Sequence, residues 1–203
     1  GLQWAPMPNA YALGLDASKA ADRKKLRALA RALKGEWQLF ANDPRKLSDA
    51  QRRLSFNGQL RLMARTWAVL NEATAFLTWK DGGGRYKTCL RVVDPDRLSN
   101  PMGQADTLTL RGGIEYDSDG VPLAYHVRNG HPSDWFRYAQ LLKWTRIAAR
   151  TKWGRPAFIH VFEGDREDQL RAISHMVSSM VKHRMIGKAA DAEIANMVVN
   201  ALF

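Results

Sequence analysis

Apolar residues spaced three and four apart mark the first element of the chain. Leu26, Leu29, Leu33, Trp37 and Phe40 form one stripe, which predicts an amphipathic helix running to about Ala41 with Ser18 as its cap. The residues before it, 1–15, contain Trp4, Pro6, Pro8 and Gly14 and read as a short extended piece followed by loop. Asn42-Asp43-Pro44 ends the helix, because the residue before a proline is pushed out of the helical region. A second helix is clearest from Gln59 to Leu70, with Leu60, Met63, Trp67 and Leu70 on one side.

The pattern then becomes strand-like. Thr74 to Trp79 and Tyr86 to Val93 flank Asp81-Gly82-Gly83-Gly84, a hairpin turn signal. A second hairpin runs from Gly113–Tyr116 to Val121–Val127, turned by Asp117-Ser118-Asp119-Gly120. Residues 129–142 are polar and aromatic loop with a short helical piece near Trp135 to Leu142. Trp144–Ala149 and Ala157–Phe162 are two more strands, around Lys152-Trp153-Gly154-Arg155. From about Asp168 the pattern is helical to the end. Ile173, Met176, Val177, Met180 and Val181 form its first apolar face, and Ile194, Met197, Val198 and Leu202 continue it. Gly187 marks a bend or break. Helices, then antiparallel hairpins, then a long helix give an α+β class rather than a doubly wound parallel sheet.

The chain of 203 residues does not begin with Met and stops at Ala201-Leu202-Phe203, inside a helical pattern without a glycine or proline stop. A longer protein continuing on both sides is the expectation. Hydrophobic residues make up 45% and charged residues 25%, a globular balance. Lys and Arg number 31 against 20 Asp and Glu, a net charge of +11. Such an excess suits a polyanionic partner, most often nucleic acid, and equally a protein that is simply basic. The single Cys89 excludes an internal disulfide framework and a cysteine-based zinc cluster, and fits the cytosol. No apolar run approaches the roughly 20 residues of a membrane-spanning helix, and the start shows no signal peptide.

Candidate chemistry is sparse. The triple glycine is not followed by Gly-Lys-Ser/Thr, so a phosphate loop fails. Asp94-Pro95-Asp96-Arg97 could offer paired carboxylates for acid–base work or a metal, but Asp beside Pro more commonly builds turns. His126, His131, His160, His175 and His183 show no metal-ligand spacing, and His160, in an alternating strand, suits a packed or hydrogen-bonded role. Cys89 lies mid-strand without a neighbouring base. The residues alone indicate no enzyme, cofactor or metal. Among the tryptophans, Trp37 and Trp67 fit core positions. Trp79 and Trp144 fit strand packing or a subunit contact, and Trp4, Trp135 and Trp153 lie in loops or at edges. Lys19, Arg23, Lys24, Lys25, Arg27, Arg31 and Lys34 on the first helix fit a solvated face more simply than a DNA-contacting one.

Several segments in order resemble one family. Arg91 to Asn100 (RVVDPDRLSN) is similar to the "hydrophobic strand, then DPDRL" segment of lambda-type phage portal proteins. Arg111 to Asp117 with Gly120 to Val127 resembles that family's "GVE-D-G-PVAYH" hairpin, and Ile159 to Phe162 its "VIHVF" strand. Trp37 through Asp49-Ala50 resembles its "W-W…CDA" region, and Trp67 to Ala75 its "LV-GEA" region. Two departures stand out. Asn71 replaces the glycine of Gly-Glu-Ala. Asp168 and Ala172 replace both glycines of a Gly-Gln-x-Arg-Gly segment, which leaves the local turn in question.

The resemblance implies a non-enzymatic part: a dodecameric ring at one capsid vertex that nucleates head assembly, docks terminase and holds the head–tail connector. It would sit in the virion, and in the host cytoplasm during assembly. Residues 1–165 would form a portal-type wing region of hairpins and helices, and 166–203 a long stem-like helix leading toward the channel. Double-stranded DNA would be contacted through phosphates, without sequence preference. Lys182, His183, Arg184 and Lys188 are then the candidates to face the channel, with pairing to acidic residues of a neighbouring subunit as their alternative role. A DNA-processing enzyme fragment and a monomeric basic DNA-binding module, with the helix at 19–40 as its reader, are the rival readings.

Overall fold

The computed structural model describes residues 8–10, 13–134, 136, 138–174 and 176–202; Trp4, Trp135 and His175 lie outside them. The class is α+β, as the sequence predicts. The elements are α1 (Ala20–Ala41), α2 (Phe56–Leu70), β1 (Glu72–Trp79), β2 (Thr88–Val93), β3 (Leu110–Arg111), β4 (Ile114–Tyr116), β5 (Pro122–Arg128), α3 (Tyr138–Leu141), β6 (Trp144–Ala148), β7 (Phe158–Phe162) and α4 (Val177–Leu202). They divide into two compact units. One holds Gly1–Leu60 and Thr78–Arg91, the other Arg61–Leu77 and Val92–Phe203.

In the first unit, α1 is capped differently from the sequence expectation. Ser18 turns away: the Asp16 carboxylate accepts its amide at 2.9 Å and its hydroxyl at 2.7 Å, and Lys19, with extended dihedrals, takes the cap position. These two bonds hold Ser18 in a local turn with Asp16, the kind of side-chain-to-backbone bonding that competes with helix capping. The predicted stripe is only partly used. Leu29 and Leu33 are exposed, and packing is confined to the C-terminal end. There Trp37 meets Phe56 edge-on at 4.7 Å and Phe40 meets Tyr86 at 5.6 Å. The loop after α1 is organised by the buried Asp49, whose carboxylate accepts the amides of Gln51, Arg53 and Leu54, each at 2.9 Å. The hairpin tip at Asp81–Gly84 closes with Lys80 N donating to Lys87 O at 2.9 Å.

The strands form two sheets, and the strands from β3 to β7 all belong to the second unit. One has the order β2-β1-β7 and the other β3-β4-β5-β6. β1 and β7 run antiparallel with Glu72 opposite Phe162 and Phe76 opposite Phe158. The core comprises Val93, Leu98, Ile114, Tyr116, Tyr125, Val127, Ala149 and Phe158. Tyr125 of β5 stacks on Phe158 of β7 with centroids 4.0 Å apart and planes 13° apart, so the two sheets share this core. Gly113 must be glycine. Its φ is +83°, and a Cβ there would lie 2.5 Å from Ser99 N.

Two expectations need correction. Trp67 is not a core residue; it is 38% exposed on α2. The terminal helix begins at Val177, not near Asp168. Residues 163–174 instead run as irregular chain, with Asp168 at φ +60°. The apolar spacing of Leu170 and Ile173 imitates a helix, but Leu170 packs on the sheet core and Arg171 is drawn inward. α4 itself is continuous through Gly187.

Candidate functional site

The motifs that carry the family resemblance converge on one side chain. Arg171 Nε donates to Glu72 Oε1 at 2.6 Å, and His160 Nε2 lies 2.7 Å from the same oxygen. The Arg171 Nη1 group donates to the carbonyls of Leu98 (2.9 Å) and Gly112 (2.8 Å), and Nη2 to that of Pro95 (3.1 Å). Glu72 comes from the Asn-Glu-Ala motif, His160 from the Ile159–Phe162 strand, Pro95 and Leu98 from the Asp-Pro-Asp-Arg-Leu turn, and Gly112 from the Gly-Gly-Ile-Glu hairpin. A planar guanidinium with five donors is the group that can satisfy a carboxylate and three carbonyls at once.

The Glu72 and His160 side chains are almost wholly buried, at 6% and 5% exposure. Burial pushes the Glu72 carboxyl up, but the hydrogen bond from His160 and the charge and hydrogen bond of Arg171 outweigh it and hold the group below the usual glutamate range. His160 thus fills the hydrogen-bonded role its strand position suggests. The guanidinium joins a buried carboxylate and three carbonyls, so the cluster is a clamp: it pins the chain entering α4 to both sheets.

Backbone geometry accounts for two of the three replaced glycines, those at Asn71 and Asp168. Asn71 has φ +59° and Asp168 φ +60°, the left-handed conformation that glycine takes freely and that Asn and Asp tolerate best among other residues. Asn71 adds a gain glycine lacks, since its Nδ2 donates to the carbonyls of Glu163 (2.9 Å) and Ile173 (3.3 Å).

A second Glu–His–Arg cluster lies on the β4-β5-β6 surface. Arg146 binds both oxygens of Glu115 at 2.6–3.0 Å, and His126 Nε2 sits 2.6 Å from Oε1. The hydrogen bonds from Arg146 pull the Glu115 carboxyl down to about 2; burial opposes them, and the hydrogen bond of His126 adds to the pull. Sequence order hid both clusters, because their members are 11 to 99 residues apart. The Asp94–Asp96 pair builds a turn, the Asp94 carboxylate accepting the Asp96 amide at 3.0 Å, and its carboxylates stand within 4.8 Å of each other and of a His131 ring nitrogen. His131 lies beside it, 3.7 Å from Asp94. Cys89 is buried, its thiol donating to Leu47 O at 3.2 Å.

The candidate DNA-facing residues all lie on α4, and all are exposed. At 100° per residue they do not share one face. Arg184 and Lys188 stand one turn apart, on a stripe continued by Gly187, Asp191 and Ala195. Lys182 lies on the other side, a turn below Met185 and Ile186, with His183 between the two directions. The apolar residues Met180, Met185, Ile186, Ile194, Met197, Val198 and Val199 are more than half exposed. Apolar surface of this extent, left uncovered by the other described residues, is surface for further protein to bury. Among the described residues, no helix is long and apolar enough to cross a membrane. On α1 the basic residues are solvated, with Lys25 3.4 Å from Asp22 and Lys19 3.8 Å from Asp16.

Comparison with known proteins extends these motifs to the whole chain. The family model "phage portal protein, lambda family" matches residues 1–203. Portal protein B of Escherichia phage lambda is 29% identical over 182 residues, covering 89% of this chain and 33% of that protein. The portal protein of Escherichia phage N15 is 30% identical over 178 residues, covering 87% of this chain and 33% of its own length. The chain thus spans about a third of the length of these relatives.

Proposed function

Because this chain belongs to the lambda family of phage portal proteins, we propose that it acts as part of a subunit of a closed ring at the capsid vertex. Double-stranded DNA passes through that ring during packaging and ejection, and terminase and the head–tail connector dock on it. The dodecameric size and the non-enzymatic role are part of this reading. So is the assignment of residues 1–165 to a wing and of 166–203 to a helix leading toward the channel. The protein works in the virion, and in the host cytoplasm while heads assemble.

The observation that carries the reading is α4, a helix of 26 residues whose described apolar side chains, from Val177 to Val199, are exposed. In a ring, neighbouring subunits cover the apolar sides. The polar stripe of Arg184, Lys188 and Asp191 is left for the water-filled axis. Of the four basic candidates, Arg184 and Lys188 are therefore the ones placed toward DNA, while Lys182 and His183 lie nearer the subunit boundary. Contacts of this kind are to phosphates, salt-sensitive and indifferent to sequence, which lets DNA slide. The Arg171 clamp fits the same scheme, because a channel helix has to leave its wing at a fixed angle in every subunit.

Reversing charge with Arg184→Glu and Lys188→Glu tests the assignment. Rings that form normally but package less DNA per head support it. Normal rings with normal packaging contradict it.

A further inference from the structure

β7 carries charges of opposite sign at its two ends. Before it, the loop Arg150-Thr151-Lys152-Trp153-Gly154-Arg155 presents three cations and a tryptophan that is 81% exposed. After it, Glu163-Gly164-Asp165-Arg166-Glu167-Asp168 presents four carboxylates against one guanidinium, all exposed. Both loops are held in shape by local hydrogen bonds. Thr151 N donates to Arg155 O at 2.8 Å, Arg155 N to Thr151 Oγ1 at 3.1 Å, and Arg150 Nη1 to Gly154 O at 3.1 Å. In the acidic loop, Gln169 Oε1 accepts the amides of Asp165 (2.7 Å) and Arg166 (3.3 Å). Among the described residues, no ion pair engages Lys152, Arg155, Glu163, Asp165, Glu167 or Asp168.

One copy cannot join these loops, because β7 separates them by about 16 Å at roughly 3.3 Å per residue. A second copy can. We propose that the basic Trp153 loop of one subunit docks on the acidic 163–168 loop of the next, forming a head-to-tail contact between copies of this chain. Two different surfaces meeting in this way give a heterologous interface, the kind that closes into a ring. Trp153 supplies the rigid apolar anchor, and the rim charges set register and exclude the wrong pairing, since like loops repel. This rests on the ring reading above and identifies the surfaces that would make the contact.

The test is a charge exchange in the whole subunit, read as assembled mass and as DNA affinity. One variant carries Lys152→Glu and Arg155→Glu; the other carries Asp165→Lys and Glu167→Lys. Alone, each places like charges across every contact, so the assembled fraction should fall about tenfold or more. Mixed in equal amounts, they restore opposite charges at every contact and should assemble again, as alternating rings. Recovery on mixing also shows that both variants are folded. Assembly of either variant alone at the wild-type level overturns the proposal and leaves the portal reading intact. Failure to recover on mixing, with both variants folded by circular dichroism, also overturns it. Unchanged assembly with weakened DNA binding assigns the basic loop to phosphate contact instead, and overturns the subunit contact. A wild-type protein that never assembles defeats the portal reading itself.

Discussion

Arg171 Nε and Glu72 Oε1 lie 2.6 Å apart although 99 residues separate them in the chain. This one pair ties the irregular chain before α4 to the first strand of the β2-β1-β7 sheet. Through the carbonyls of Pro95, Leu98 and Gly112, the same guanidinium reaches the turn and hairpin that border the second sheet.

Removing Arg171 leaves a buried carboxylate with only His160. Arg171→Leu should destabilise the protein by about 3 kcal/mol, the order found when one partner of a buried ion pair is deleted. Arg171→Lys should cost less but not recover wild-type stability, because an ammonium cannot reach the carboxylate and all three carbonyls in one geometry. Urea unfolding of the three proteins measures both. Proteolysis confined to residues 163–176 in the Leu variant would locate the loosening.

Acid should weaken the fold through both clusters. Each glutamate has a folded pKa below its ordinary value, so its contribution is complete above the unfolded pKa and is lost as pH falls through the folded one. For Glu115 that window runs from about 4.5 down to about 2. Melting temperature followed from pH 7 to pH 2 should fall most steeply in this range. Glu115→Gln should flatten part of the fall and lower stability at pH 7.

Backbone conformation predicts two opposite glycine effects. Asp168→Gly should be neutral or stabilising, because φ is +60° there, and Asp168→Ala should cost about 1 kcal/mol. Gly113→Ala should cost about 3 kcal/mol, since it adds a collision with the Ser99 backbone to an unfavourable φ. Thermal unfolding distinguishes these outcomes.

Much of the fold was legible locally. Asp-Gly and triple-glycine turns located both hairpins, and the alternating strand around His160 marked it as a bonded residue. The clamp was not legible, because nothing in the neighbourhood of Arg171 says that Glu72 lies across from it; the link exists only after β1 and β7 pair. The start of α4 was misplaced for the same reason. Leu170 and Ile173 have helical spacing, yet tertiary bonds to Arg171 hold that stretch out of a helix. Ser18 misled in another way. It is a good cap by type, but Asp16 two residues earlier binds it first. As for the basic residues of α4, periodicity separates Arg184 and Lys188 from Lys182, a distinction that a run of basic residues conceals.

The central claim is that this chain belongs to a ring-forming subunit, and the most direct measurement is the solution mass of the whole subunit. Light scattering over a concentration series should give a large, closed assembly of fixed mass once formed. A protein that stays monomeric at every concentration would contradict the account.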